Sequence, residues 1–330
     1  MKGINRRDFL KYSGALGGAL LLSTDGGRAM SNNGSRVVLT KTDDRSEGVK
    51  VSLRGLKINP MKGKDVLIKP NFNTADLTPG STHNDTLVAL VEEIWAMGAR
   101  SISLGERSYP PTNEVMQQKG ILPLMDRLNV NVIDFDGLER KDWIPFKPKG
   151  SHWTNGFRIA RPVVESECLV STCCLKTHQF GGIFTMSLKL HVGVVPTYRH
   201  GYEYMRELHG SPHQRKMIAE INEPFKPSLI VLDGIDAFVD GGPMTGKNAK
   251  AEVFLASADR VAIDATGVAI LKLLGSNEAI MKRKIFEQEQ IARAAELGLG
   301  ASSPSAIEVV AADERSQDYR DRVVEMLKKG

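Results

Sequence analysis

One stretch of the chain concentrates side chains that can do chemistry. Leu175 to Pro196 reads LKTHQFGGIFTMSLKLHVGVVP and contains two Lys-x-His pairs, Lys176 with His178 and Lys189 with His191, on either side of a glycine pair. Ammonium groups hold anions, and imidazole transfers protons or binds metals near neutral pH. We therefore predict a polar site here, with Lys176, His178 and Lys189 as its catalytic residues. The residue types alone leave open whether the site holds an anion, a metal or a transferable proton.

Further polar residues follow short β-rich runs at residues 65–69, 101–104 and 228–232. An apolar helical pattern over residues 84–97 separates the first two runs, and a strand, helix, strand order predicts a parallel sheet. Ligands bind where the strands of such sheets end. We therefore expect substrate-binding residues at that edge, together with the second histidine of the opening stretch: Lys69, Asn71, His191 and Asp233.

The remaining pattern predicts an α/β fold with a mostly parallel mixed sheet flanked by helices. We expect it to occupy residues 32–330, either as one domain or as two lobes with a boundary near 150–160. The segment 138–156 reads as irregular, and 197–212 reads as a mobile cover over a site. Further strands are predicted at 36–40, 131–135, 169–175, 252–256 and 306–311, and further helices at 113–128, 214–221, 258–274 and 317–329.

The expected site residues are compatible with several chemistries. Imidazole and carboxylate together suit a divalent metal, for which His178, His191, Glu106 and Asp233 are the candidates. The lysines suit a carboxylate or phosphate substrate, or a carbonyl cofactor held as a Schiff base. Asp264, within a predicted helix, lies either near a cation or on the polar edge of that helix. No H-E-x-x-H, G-x-S-x-G or G-x-G-x-x-G motif occurs, so the cofactor is not identified.

Two other features of the sequence argue against familiar cofactor sites. Residues 241–248 have the glycine and lysine spacing of a phosphate loop, but Asn248 replaces the required hydroxyl residue and a strand-like run follows, so we predict an ordinary turn. The three cysteines, Cys168, Cys173 and Cys174, form no C-x-x-C pair, so there is no self-contained iron-sulfur motif. We predict that they are buried thiols on a strand.

The N-terminus resembles an export signal. Asn5 to Lys11 reads NRRDFLK and precedes a short apolar run at 12–22, which is typical of a twin-arginine signal and too short for a stable membrane anchor. We therefore expect residues 1–31 to direct the chain through the twin-arginine translocase, to the periplasm or another exported location. That segment carries five basic and two acidic residues, so the net charge of +5 falls to +2 without it. No basic cluster with interleaved aromatics remains, which excludes nucleic acid as an expected partner.

Five motifs follow one another along the chain: VLIKPN at 66–71, LKTH with TMSLKLHVG at 175–193, PSLIVLDGIDAFVDGGP at 227–243, SADRVAIDATG at 257–267 and Gly298 to Gly300. In this order they resemble the motifs of the DUF362 family, whose members are largely uncharacterised. The resemblance implies an α/β domain. Many members carry an appended ferredoxin-like module, whose cysteine pattern does not occur in this sequence. The family is also distantly similar to nickel-dependent lactate racemase-like enzymes, which implies that Lys176, His178 and Lys189 face a ligand.

Two functional hypotheses follow. The first is an exported enzyme that acts on a small anionic substrate, with a metal or organometallic cofactor as an open option. The second is a periplasmic binding or accessory protein without turnover, serving a redox or cofactor system. Both place an anion beside the same lysines, and they differ in whether His178 moves a proton.

Overall fold

The apolar runs of the chain lie side by side in one mixed sheet. The computed structural model describes residues 35–330. Its strands, including two small separate hairpins, β5 with β6 and β9 with β10, are β1 (Ser35–Lys41), β2 (Asp65–Lys69), β3 (Ser101–Glu106), β4 (Asn131–Asp134), β5 (Trp143–Phe146), β6 (Phe157–Ala160), β7 (Cys168–His178), β8 (Ile183–Thr185), β9 (Tyr198–Arg199), β10 (Tyr202–Glu203), β11 (Leu229–Gly241), β12 (Gly246–Ser257) and β13 (Ile307–Ala311).

The main sheet runs in the order β13-β1-β12-β11-β7-β2-β3-β4, and β8 pairs with β7. Only the pairs made by β12 and β8 are antiparallel, so the sheet is mixed and mostly parallel, as predicted. The helices are α1 (Arg45–Leu56), α2 (Asn84–Ala96), α3 (Thr112–Gln118), α4 (Ile121–Arg127), α5 (Arg161–Val164), α6 (Ser187–Leu190), α7 (Tyr204–Gly210), α8 (Gln214–Glu220), α9 (Arg260–Leu273), α10 (Glu278–Met281), α11 (Glu289–Glu296) and α12 (Gln317–Lys329).

Helices cover both faces of the sheet because successive strand residues point to opposite sides. Leu39 belongs to the core on the side of α9 and α12, whereas its neighbour Val38 belongs to the core on the side of α1 and α2. A third cluster includes β5, β6 and α8, and it buries Trp143 and Trp153. These two aromatic residues therefore pack in a core and do not form a stacking surface for a ligand.

Several local predictions were wrong. Helix α1 was not predicted, because Gly48 in its interior lowers the helical signal. Position 48 requires a glycine because the Phe254 ring packs against it, and an added Cβ would lie 2.3 Å from that ring. The predicted helix 113–128 is two helices that break at Gly120, where φ is +66°. The segment 138–156 is less irregular than expected, because it contains β5 and the turn to β6. The range 150–160 holds that turn and β6, and the expected lobe boundary near it stays a prediction.

Candidate functional site

The carboxyl ends of three neighbouring strands, β7, β2 and β3, open into one cavity of about 770 Å³. Strand β2 ends at Lys69, β3 ends at Glu106, and β7 continues past both to His178. The cavity is lined by six of the residues predicted for the site, which are Lys69, Asn71, Glu106, Lys176, His178 and Lys189.

Lys69 and Glu106 form a buried ion pair at the floor of the cavity. Glu106 also accepts hydrogen bonds from the backbone N–H groups of Phe72 and Arg107, both at 2.9 Å. Burial raises the pKa of Glu106 and lowers the pKa of Lys69, and the attraction between the two charges opposes both shifts. Gly193 approaches the pair closely, because a Cβ there would lie 2.6 Å from Glu106 Oε1. The Glu106 carboxylate is therefore fully engaged by its ion pair with Lys69 and by these hydrogen bonds.

Lys176 is a fixed positive charge. It lies near the end of β7, opposite Thr185 of β8 and Phe238 of β11, and its side chain is fully buried. The ammonium Nζ donates to the carbonyl oxygens of Gly80 and, at 3.2 Å, of Pro243. Burial lowers the pKa of Lys176 to about 8, so most of these side chains are protonated at neutral pH.

The side chains of Lys189 and His178 both lie against the backbone of Gly182. A Cβ on Gly182 would lie 2.7 Å from Lys189 Cε and 2.9 Å from His178 Nδ1, so glycine is needed for both side chains to approach. Burial lowers the pKa of Lys189 to about 7, and the charges of Lys176 and Arg107 add to the shift. Burial also lowers the pKa of His178 far below its usual range, and Lys189 and Lys176 add to this effect. At neutral pH His178 is therefore uncharged, and Lys189 is about half protonated.

Short helix α6, which carries Lys189, is held in place by a buried carboxylate. Asp264 of α9 accepts hydrogen bonds from the backbone N–H groups of Ser187, at 2.8 Å, and Leu188, at 3.0 Å. The expectation that Asp264 lies on the polar edge of its helix was wrong, because the residue is fully buried and satisfies the free N–H groups at the start of another helix. The alternative, a buried carboxylate near a cation, agrees with the charge of Arg260, which acts to lower the pKa of Asp264 against the effect of burial. Asp264 positions the site from outside the cavity.

The cavity also has lining residues that were not predicted. Arg107 is buried and donates to Thr197 Oγ1 at 2.9 Å and to the carbonyl oxygen of Val192 at 3.1 Å, while its Nε has no partner. It directly follows Glu106 at the end of β3, so the strand-end rule could have found it. Phe180 and Tyr109, 53% and 74% exposed, also line the cavity. A turn residue and a loop residue of this kind give no periodic signal in the sequence.

The segment 197–212, predicted to be a cover, forms part of the cavity wall. Thr197, Met205, Arg206 and His209 all line the cavity. His209 is fixed through Nδ1, which is 2.7 Å from the carbonyl oxygen of Met205. The expected mobility of this cover remains a prediction.

A family model described as a domain of unknown function, DUF362, matches residues 66–269. The chain belongs to the DUF362 family. A twin-arginine signal model matches residues 3–23, so this DUF362 protein is exported by the twin-arginine route, as predicted. The signal lies outside the residues that the structure describes. Within residues 35–330, every helix is too short or too polar to cross a membrane.

One relative is a thylakoid-associated protein of Synechocystis sp. (strain ATCC 27184 / PCC 6803 / Kazusa), 25% identical over 214 residues. The match covers 64% of the DUF362 chain and 64% of the relative. Among solved structures, the lactate racemase apoprotein from Thermoanaerobacterium thermosaccharolyticum is similar with a TM-score of 0.43 and 17% sequence identity. That match covers 72% of the DUF362 chain and 57% of the racemase chain.

Two predicted substrate-binding residues of the DUF362 protein, His191 and Asp233, lie outside the cavity lining. His191 is fully buried, with Nε2 2.9 Å from Ser171 Oγ and Nδ1 2.7 Å from Asn222 Oδ1. Asp233 accepts hydrogen bonds from Arg45 Nε at 3.0 Å and from Thr86 Oγ1 at 2.6 Å. We therefore correct the expectation for both side chains, because each is fully engaged in joining parts of the fold.

The same contacts decide whether the expected metal ligands fit a metal. Glu106 is paired with Lys69, and His191 and Asp233 are engaged elsewhere, which leaves His178 as the candidate facing the cavity. Among residues 35–330, no group of three or more His, Cys, Asp or Glu side chains is placed to hold a metal ion. The described residues therefore do not fit a divalent metal held by protein side chains. The three cysteines are free and buried, as predicted.

Proposed function

We propose that this exported DUF362 protein is an enzyme that acts on a small organic anion bound in the cavity. The observation that carries the proposal is the charge of the lining. Among the described lining residues, Glu106 alone is a carboxylate, and Lys69 already neutralises it. Arg206 pairs with Glu203, which is not part of the lining. The other cations, Lys176, Lys189 and Arg107, form no ion pair with any described residue. An anion that enters would supply the missing negative charge beside buried cations, where charges attract more strongly than in open solvent.

The lining residues would have different roles toward such an anion. Lys176 and Arg107 are held by carbonyl and hydroxyl oxygens, so they provide charge at fixed positions. His178 is uncharged, and its buried Nδ1 has no hydrogen-bond partner. A bound anion would raise the pKa of this imidazole, because a negative charge nearby favours its protonated form. His178 would then take a proton from the substrate and return it, which is general acid–base catalysis.

The apolar part of the lining indicates that the anion has a carbon body. Leu190, Val192, Met205 and Met244 line the same cavity as the cations. A cavity of about 770 Å³ is far larger than inorganic phosphate and falls in the range that binds organic ligands. No step of this proposal passes through a metal, because the described residues do not fit one.

Thermal unfolding in the presence of small anions tests the proposal. The panel contains monocarboxylates, dicarboxylates, 2-hydroxy acids, 2-oxo acids and phosphate esters, and a class that binds the folded state raises the melting temperature. The stabilising anions are then incubated with the protein in D₂O and followed by proton NMR for C–H exchange or product. We expect Lys176→Met to lose the stabilisation and His178→Gln to keep it while losing turnover. If no class stabilises the protein, the proposal is wrong.

The second candidate is a periplasmic binding or accessory protein without turnover. The low pKa of His178 favours it, because an imidazole that resists protonation is a weak base until an anion binds. A binding protein needs the cations alone. In that case the stabilising anions remain unchanged in D₂O, and His178→Gln affects neither their binding nor their fate.

A further inference from the structure

Lys189 differs from the other lysines of the cavity in having no partner. Lys69 is paired with Glu106, and Lys176 donates to two carbonyl oxygens. For Lys189 Nζ, the part of the chain that the structure describes supplies neither a hydrogen bond nor an ion pair. The side chain is half-buried and lines the cavity, so its amine is open to a bound molecule.

The helix and the side-chain stem that carry this amine are held by their surroundings. Helix α6 is held at its first turn by the Asp264 carboxylate, and the backbone at Gly182 lies against Lys189 Cε. Leu190 and Met205 contribute apolar surface to the same cavity. Burial and the two neighbouring cations lower the pKa of Lys189 to about 7, so a large fraction of the amine is neutral at physiological pH. A neutral amine in an apolar site beside another cation is a nucleophile toward carbonyl groups.

We propose that Lys189 forms an imine with an organic anion that carries a ketone or aldehyde group. The proposal rests on the proposed function, because Lys176 and Arg107 would hold the anionic group while the carbonyl carbon meets Lys189. The amine lone pair attacks that carbon, and the carbonyl π electrons move to oxygen. A C=N bond then replaces the C=O bond, and the oxygen leaves as water with the two amine hydrogens. No oxidant or reductant is consumed.

The positions of the charges narrow the class of anion. Lys176 and Arg107 line the same cavity as Lys189, so an anion that they hold can present its carbonyl group to the amine. We take the 2-oxo acids as the class to test, because their carboxylate is attached directly to the carbonyl carbon. The apolar wall and the cavity volume favour a 2-oxo acid with a hydrophobic side chain over the smallest members of the class.

The experiment traps the imine on the full exported chain at pH 7. The probe is phenylpyruvate with sodium cyanoborohydride, which reduces an imine to a stable amine, and modified lysines are located by peptide mass spectrometry. The matched anion without a ketone is 3-phenylpropionate, whose binding is followed by thermal shift. We expect one adduct on Lys189, at least tenfold above any adduct on Lys247, which is exposed on the β11–β12 hairpin. Lys189→Arg should lose the adduct and keep stabilisation by 3-phenylpropionate, because arginine retains the charge.

The results separate this proposal from the proposed function. Stabilisation by 3-phenylpropionate with no Lys189 adduct, or with equal labelling of Lys189 and Lys247, overturns the imine and leaves the anion site intact. Absence of both stabilisation and adduct overturns both proposals. If Lys189→Arg does not fold, the comparison of Lys189 with Lys247 in the wild-type chain still decides the outcome.

Discussion

Raising the pH from 6 to 8 should weaken the binding of a simple organic anion by up to about tenfold through Lys189, or about 1.4 kcal/mol. In the free protein the pKa of Lys189 is about 7, because partial burial and the charges of Lys176 and Arg107 disfavour the ammonium form. An anion in the cavity raises that pKa, so Lys189 takes up a proton as the anion binds. Since the bound state carries more protons than the free state, affinity falls as the pH rises through 7.

Isothermal titration with 3-phenylpropionate at pH 6, 7 and 8 measures this effect. Repeating the pH 7 titration in buffers with different ionisation enthalpies should show uptake of up to about half a proton by Lys189 per bound anion. Lys189→Arg is the matched control, because its charge does not titrate in this range. Its affinity should change only about twofold, through Lys176 with its pKa of about 8. An affinity that stays constant from pH 6 to 8 in the wild type, or falls equally in Lys189→Arg, would refute the reasoning.

Three further predictions concern the framework of the site. Glu106→Gln should lower the free energy of unfolding by about 3 kcal/mol in urea titrations, because it leaves the buried Lys69 without its counter-charge; an unchanged midpoint would show that the pair is not coupled to folding. Gly193→Ala should cost about 1–3 kcal/mol by the same measurement, since its Cβ would press on Glu106, whereas Gly137→Ala should be nearly neutral because its Cβ would meet nothing within 4 Å. His191→Leu should destabilise the fold by about 1–3 kcal/mol, because it removes the hydrogen bonds of the ring to Ser171 and Asn222, and it should leave anion affinity unchanged in calorimetric titration. A loss of affinity with unchanged stability would show that His191 belongs to the binding site.

The sequence predicts the parallel part of the fold well because its signals there are local. Residues 65–69 and 317–329 form a strand and a helix with the predicted bounds. In this part of the chain, an apolar strand is followed by turn residues and then by a segment with helical periodicity. Helix α1 was missed because its interior Gly48 is explained by contact with Phe254, about 200 positions away in the chain, and no local pattern reveals such a contact.

The candidate site could be predicted only as far as strand order determines it. Lys69, Glu106 and Lys176 share one edge because β3, β2 and β7 are neighbours and parallel. Residue type alone cannot separate His178, which lines the cavity, from His191, which braces the fold. That distinction depends on Ser171 and Asn222, which meet the His191 ring only after folding.

The central claim, that the cavity binds an organic anion through its cations, is tested most directly by crystallography with a bromine-labelled anion. Crystals soaked in 3-(4-bromophenyl)propionate should give an anomalous bromine peak in the cavity beside Met205 and Met244. The carboxylate should lie within hydrogen-bonding distance of Lys189 or Arg107. A saturating soak that gives no bromine peak in the cavity, or a peak only elsewhere on the protein, would contradict the account.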